Sequence, residues 1–257
     1  MIRKFNRYEM KYILTHKEHL RIAKALEGFL DRDKHAGKGG IYRISSLYYD
    51  SPDLSCYRNK LDGIKYRRKL RIRVYKDSDM AYGFVEIKQR INRTVQKRRL
   101  VLPMDEAKAL CSGEDIDIDR LDPVDRETAS EVLFLVKALN MRPQCIISYH
   151  RRPFEGSRYD FGLRITFDTH LKYRMHELDM TTSCRDRFFL PPDAVVMEIK
   201  ANEKVPMWLI SHIGAFQCNI KRISKYCIGI ERGMSMLGNS RVTIFNSAQA
   251  GEHGKYV

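Results

Sequence analysis

Two stretches of the chain, FVEIKQR at residues 84–90 and VMEIKAN at 196–202, place an acid and a base two positions apart with isoleucine between them. Residues two apart on a strand share a face. Glu86 with Lys88, and Glu198 with Lys200, would therefore each present a carboxylate and an ammonium on one surface. Lysine and arginine suit polyanions, the one as a point charge and the other as a planar fork that bonds two oxygens at once. A carboxylate cannot bind phosphate directly, but it can hold a hard divalent cation that bridges to phosphate oxygens. A competing role is to pair with the neighbouring lysine and keep its charge tolerable when nothing is bound.

The same alternation recurs along the chain. Arg7, Glu9 and Lys11 share a face opposite Tyr8, Met10 and Tyr12. Arg67, Lys69, Arg71 and Arg73 oppose Leu70, Ile72 and Val74; Glu86, Lys88 and Arg90 oppose Val85 and Ile87. Lys97 and Arg99 align in VQKRR, and Arg164, Thr166 and Asp168 oppose Leu163, Ile165 and Phe167. Glu198 and Lys200 oppose Val195, Met197 and Ile199. An antiparallel sheet with one wet face alternates in this way too, but that face would mix Thr, Ser and Gln with both signs of charge. Here it is mostly Lys and Arg, and like charges facing each other across strands destabilise a sheet unless an anion lies between them. If the sheet curls into a barrel with its apolar face packed outward on helices, the charged faces line a shared basic channel.

Composition agrees with an anionic partner. The 257 residues carry 47 Lys+Arg against 32 Asp+Glu, a net charge of +15, while 43% hydrophobic and 31% charged residues are ordinary for a folded chain. Nucleic acid, anionic membrane and phosphorylated small molecules are the candidate partner classes. No apolar run approaches a membrane span, the longest being near VLFLV at 132–136. The N-terminus has no secretory apolar core. Six scattered cysteines without a C-x-x-C pair read as reduced thiols of a cytoplasmic protein, not as a zinc site or disulfide framework. AGKGG at 36–40 lacks P-loop spacing and H-E-x-x-H is absent, so neither a P-loop NTPase nor a zincin is expected.

These faces need strands at 4–14, 41–50, 65–76, 82–90, 93–102, 143–153, 160–174 and 194–201. Helices are expected at 16–30, with Leu20, Ala23, Leu26 and Leu30 inward, briefly after Ser51-Pro52, and over 104–113. Further helices fall at 123–140, with Leu133, Val136 and Leu139 inward, at 206–219, burying Trp208, Ile210 and Ile213 or Phe216, and at 224–236. A hairpin is expected around EGSRYD, between the strands at 143–153 and 160–174. The whole reads as one α+β domain over residues 1–238 built on a large antiparallel sheet, with a loosely patterned tail at 239–257.

RYEMKYIL, SLYYDSPDLSCY, KLRIRVY, FVEIKQR, VQKRR, ISYHRRPF, LRITFDTHL, VMEIKAN and KRISKY, in this order over residues 4–235, resemble the VTC (vacuolar transporter chaperone) polyphosphate polymerase domain. That domain belongs to the triphosphate tunnel metalloenzymes, also called the CYTH group. The resemblance implies an antiparallel β-barrel with a charged lumen and flanking helices. It implies transfer of the γ-phosphate of ATP to inorganic polyphosphate, with Mn²⁺ or Mg²⁺ as cofactor. Matched one at a time, Lys11 is the tunnel lysine of the first strand, Arg71 and Arg73 the paired arginines, and Lys88 the lysine of the E-x-K strand. Arg151 follows ISY-x, Arg164 precedes TFD, and Lys225 lies in the last S-K-Y element; Lys97 and Lys200 are further matches. Glu198 matches the metal-binding glutamate, with Glu9 and Glu86 as additional candidates. The pattern is that of a stand-alone bacterial form, without the phosphate-sensing and membrane-spanning domains of eukaryotic complexes, for which a membrane partner protein would accept the product.

Three other readings fit parts of this evidence. A metal-dependent triphosphatase would use the same residues with water as acceptor. A non-catalytic polyanion or RNA binder would need stacking aromatics beside its cations, whereas Tyr8, Tyr12 and Phe167 fall on the face opposite the basic residues, so no nucleic acid is expected. A peripheral membrane protein would need the charges on an exterior surface.

Overall fold

Alternation of charged and apolar residues is realised as one antiparallel sheet whose apolar side is covered by helices. The computed structural model of the protein describes residues 7–33, 40–76, 80–92, 94–182, 184–202 and 204–236. The tail at 239–257 lies outside the described residues. The strands are β1 (Arg7–Thr15), β2 (Leu30–Arg32), β3 (Tyr42–Asp50), β4 (Tyr66–Tyr75), β5 (Tyr82–Ile91), β6 (Thr94–Pro103), β7 (Arg142–Gly156), β8 (Arg164–Arg174), β9 (Arg187–Phe188) and β10 (Ala194–Asn202). The helices are α1 (His16–Leu26), α2 (Ser55–Leu61), α3 (Met104–Ser112), α4 (Pro123–Leu139), α5 (Met207–Ala215) and α6 (Lys225–Met236). The order across the sheet is β1-β10-β8-β7-β3-β4-β5-β6, with β2 added to β7 and β9 to β8.

The sheet is strongly curled. β1 and β5 stand six steps apart in that order, and steps of about 4.8 Å would separate them by roughly 29 Å in a flat sheet. Yet Lys88 Nζ of β5 lies 3.4 Å from the Glu9 carboxylate of β1. Among the described residues no strand pairing joins β1 to β6, so the channel is closed on that side by side chains. Apolar faces point outward as expected. Leu70, Ile72, Val85, Ile87 and Leu100 pack under α3 and α4, and Tyr12, Ile165, Phe167, Met197 and Ile199 pack under α1 and α5.

The helix faces differ in detail from the sequence expectation. α1 starts on a capping box, Thr15 Oγ1 accepting from the Glu18 amide at 3.3 Å while Glu18 accepts from the Thr15 amide at 2.7 Å. It ends at Leu26, so its inward face is His19, Ile22, Ala23 and Leu26, and Leu20 is exposed. Leu30 is still buried, but as a strand residue of β2 opposite Gly156. In α4 the inward stripe is Ala129, Val132, Leu135 and Val136, with Leu139 turned out. In α5 only Leu209 is fully buried; Trp208 and Ile213 are half-buried, as is Phe216 just past the helix end, and Ile210 is exposed. The expected hairpin is present as β7–β8.

One element departs from the simple picture of helices outside and charge inside. α6 packs on the inner face of the sheet against Cys145, Ile147, Leu171 and Tyr173. Two adjustments allow this. A register shift in β8 around His170, whose φ is 51°, turns Leu171 and Tyr173 to the same side as Asp168. Gly229 lets α6 approach closely: a Cβ there would lie 2.6 Å from Ile147 Cδ1. α6 therefore forms a plug whose first residue, Lys225, faces the charged interior.

Candidate functional site

The inner face is a grid of charge set by strand register. On one wall Glu9 stands opposite Lys200 and Lys200 opposite Arg164; in the next row Lys11 faces Glu198 and Glu198 faces Thr166. On the other wall Arg71 faces Glu86 and Glu86 faces Arg99, while Lys69, Lys88 and Lys97 stand side by side across β4, β5 and β6. Arg67 faces Arg90 in the row beyond. Such like-charge rows cost stability in a sheet with nothing bound.

Two carboxylate centres organise the cations. Glu86 is 1% exposed; its Oε2 lies 2.6 Å from Arg71 and 4.0 Å from Arg73, and its Oε1 lies 2.6 Å from Lys97 and 2.7 Å from Arg99. Burial by itself would raise its pKa, but Arg71, Arg73 and Lys97 outweigh this and hold it far below the usual carboxylate range. Lys97 is pushed down to about 8, chiefly by desolvation, with Glu86 opposing. The second centre joins Glu198, Glu9 and Asp168. Glu198 lies 2.9 Å from Lys200 and 3.9 Å from Arg151. Glu9 lies 2.9 Å from Lys11 and 3.4 Å from Lys88. Asp168, fully buried, takes a two-pronged bond from Arg151 at 2.7 Å and an ion pair with Lys225 at 2.7 Å. Against the opposing effect of burial, Lys200, Lys11, Lys225 and Arg151 hold Glu198 well below the ordinary carboxylate value.

Tyr149 on β7 joins the two centres. Its hydroxyl accepts from Arg73 at 3.2 Å, and its ring carries Arg151 at 5.2 Å and Lys225 at 5.0 Å. Tyr48 likewise accepts from Arg71 at 2.7 Å. The channel thus contains aromatics that alternation on β1 and β8 did not suggest, and they serve as partners of cations. A strap before α6 crosses the open side: Lys11 Nζ donates to the Ile223 carbonyl at 3.3 Å and Lys69 Nζ to Ser224 Oγ at 2.8 Å.

A model of the VTC domain matches residues 6–233. The chain belongs to the VTC family. No curated protein matches its sequence. Solved structures of similar shape include a Bacillus halodurans protein described as an adenylate cyclase candidate, at 15% identity and a TM-score of 0.48, covering 84% of this chain and 92% of that one. A Hippeastrum protein described as an adenylyl cyclase candidate with dominant triphosphatase activity aligns at 12% identity and a TM-score of 0.48, over 87% and 95% of the two chains. A Vibrio parahaemolyticus adenylate cyclase candidate aligns at 11% identity and a TM-score of 0.42, over 86% and 96%.

On the inner face of this VTC-family sheet, Lys11, Lys88, Arg151, Lys200 and Lys225 gather around Glu9, Glu198 and Asp168, and Arg71, Arg73 and Lys97 around Glu86. Arg164 stands at the rim, half-exposed, bonded to Asp33 at 2.7 Å and to the Tyr42 hydroxyl at 3.1 Å. The three candidate metal carboxylates do not form one ligand set. Among the described residues no three of His, Cys, Asp or Glu gather at metal spacing, and Glu86 has each oxygen taken by two cations. Glu198 and Glu9 remain a fitting pair, facing one interior and sharing Lys11. One or two carboxylates completed by phosphate oxygens suffice for Mg²⁺-like ions. Sequence reasoning missed Asp168, Tyr149, Tyr48, Asp33 and Arg99 as site members. For Asp168 the signal was present in its shared face with Arg164.

Proposed function

We propose that the protein transfers the γ-phosphoryl group of ATP to a growing inorganic polyphosphate inside this tunnel, releasing ADP. The observation that carries the reading is the convergence of cations from β1, β4, β5, β6, β7, β10 and α6 on the inner face of one curled sheet, around the buried carboxylates Glu86, Asp168 and Glu198. Phosphoryl transfer asks mainly for positioning and neutralisation of non-bridging oxygens, with little covalent work for the protein. Arg71, Arg73 and Arg151 are forks already oriented by Glu86, Tyr149 and Asp168, and Arg164 guards the rim. Lys11, Lys88, Lys200 and Lys225 neutralise the transferred group and the incoming chain. Lys97 extends this row. Glu198 with Glu9 would hold Mn²⁺ or Mg²⁺, which supplies further charge to the phosphate oxygens.

The same reading makes ATP and polyphosphate the partners and the cytoplasm the setting, since ATP is available there; a membrane partner protein would take the product. No helix among the described residues is long and apolar enough to cross a membrane. Nucleic acid is disfavoured because the inner tyrosine rings are covered by cations rather than open to bases. The test is incubation with ATP and Mn²⁺, resolving products by chain length on a gel. Long chains are expected from the wild type. Arg164→Ala and Glu198→Gln should lower synthesis at least about a hundredfold, as for loss of one preorganised charge stabiliser, with melting temperatures near wild type. Orthophosphate alone would replace the polymerase reading with triphosphate hydrolysis.

A further inference from the structure

We infer that Asp50 is a positioning residue of this site, fixing through Tyr226 the rotation of α6 that aims Lys225 at Asp168; the inference rests on the phosphate-chain reading above. Asp50 closes β3 and is fully buried. Its carboxylate accepts from the amides of Ser51 and Cys56 at 2.8 Å each and of Tyr57 at 3.0 Å. The last two bonds cap α2, which opens on Leu54 at φ 58° without a side-chain cap of its own. A further donor comes from 176 residues away: the Tyr226 hydroxyl, 2.6 Å from Asp50 Oδ2. Burial, and then the charge of Asp50, raise the Tyr226 pKa, so the phenol stays protonated and is the donor.

A carboxylate out of water is costly, and capping alone would be served by a neutral Asn or Ser. The charge has its use in the bond to α6, which is charge-assisted, short and directional. α6 lies over β7, and its first two residues reach the strands on either side of it. Lys225 pairs with Asp168 of β8 at 2.7 Å, and Tyr226 bonds Asp50 of β3. Successive helical residues point about 100° apart, so the two bonds together fix how far the helix is rolled. Packing on that face does less, since Gly229 and Gly233 leave it without the ridges that set helix orientation. The Tyr226 ring has separate contacts, stacked on Tyr48 at 4.9 Å and beneath Lys69 Nζ at 5.3 Å.

The test is a double-mutant cycle on tripolyphosphate binding, by titration calorimetry in EDTA, with Tyr226→Phe and Lys225→Met singly and together. Tyr226→Phe keeps the stacked ring and removes only the hydroxyl. It should bind about three- to thirtyfold more weakly, the range of coupling within one bonded network. In the Lys225→Met background the same change should cost less than about twofold, since the side chain it aims is gone. Asp50→Asn, which weakens the bond from the other side, should follow Tyr226→Phe in both backgrounds. Wild-type affinity in Tyr226→Phe overturns the inference. So does an equal loss with and without Lys225, which would make the contact a general structural one. Loss of cooperative melting in both Tyr226→Phe and Asp50→Asn overturns it in the same way. A wild type that binds no tripolyphosphate would instead bring down the phosphate-chain reading itself, a result distinct from binding that ignores the hydroxyl of Tyr226.

Discussion

Glu86 shows how a single carboxylate sets the properties of its neighbours. Both oxygens are shared among Arg71, Arg73, Lys97 and Arg99, so the cations are held in place before any ligand arrives. Lys97 is the one among them whose charge changes near neutral pH, because desolvation brings its pKa down to about 8 in spite of Glu86. Above that pH it loses its proton in the free protein, while a bound polyanion would restore it. Tripolyphosphate affinity should therefore fall as pH rises from about 8, by up to tenfold per unit, and binding should take up a proton there. Lys97→Arg should flatten that limb, since arginine stays charged; calorimetry in buffers of different ionisation enthalpy measures both effects. The E-x-K spacing already placed Glu86 and Lys88 on one face. Which cations Glu86 would meet was not legible, because Arg71 and Arg99 reach it from other strands.

At the scale of elements, α6 decides the shape of the channel. Its first residue, Lys225, pairs with Asp168, and Tyr226 donates to buried Asp50 at 2.6 Å, while the strap before it is gripped by Lys11 and Lys69. This seat depends on Gly229, whose missing side chain admits Ile147, Cys145 and Tyr173. Gly229→Val should destabilise the fold by about 1–3 kcal/mol through overpacking, read as a lower urea midpoint at unchanged slope, and should weaken tripolyphosphate binding by displacing Lys225. Wild-type stability in this variant would mean that α6 does not pack as closely as described. The helix itself was legible from its apolar spacing at 224–236. Its position inside the sheet was not, since a helix that packs on the inner face of a curled sheet carries the same amphipathic pattern as one packed outside.

The whole molecule concentrates like charge where a flat sheet would have spread it. The rows from Arg73 to Arg67 are six residue steps apart along β4, or about 20 Å at 3.4 Å per step. Affinity for phosphate chains should rise from pyrophosphate to tripolyphosphate and onward, then level off once a chain exceeds roughly that length. It should fall with added salt, as expected for a net charge of +15 meeting a polyanion. An affinity that climbs without limit with chain length would point to an exterior surface in place of a channel of fixed depth.

The sequence by itself determined the eight long strands, though not the short β2 and β9, the charged face of each apart from the switch in β8 at His170, and the chemistry those charges suit, because alternation with a period of two is a local property of the backbone. It also carried the motifs by which the VTC family is recognised. Only the tertiary structure decided that Lys88 meets Glu9 from the far end of the sheet order, that Tyr149 bridges two carboxylate centres, that Glu86 stands apart from Glu9 and Glu198, and that α6 plugs the interior. The reason is physical: curling brings together residues many strands apart, and no local pattern records the sum of the twists and bulges that produce the curl.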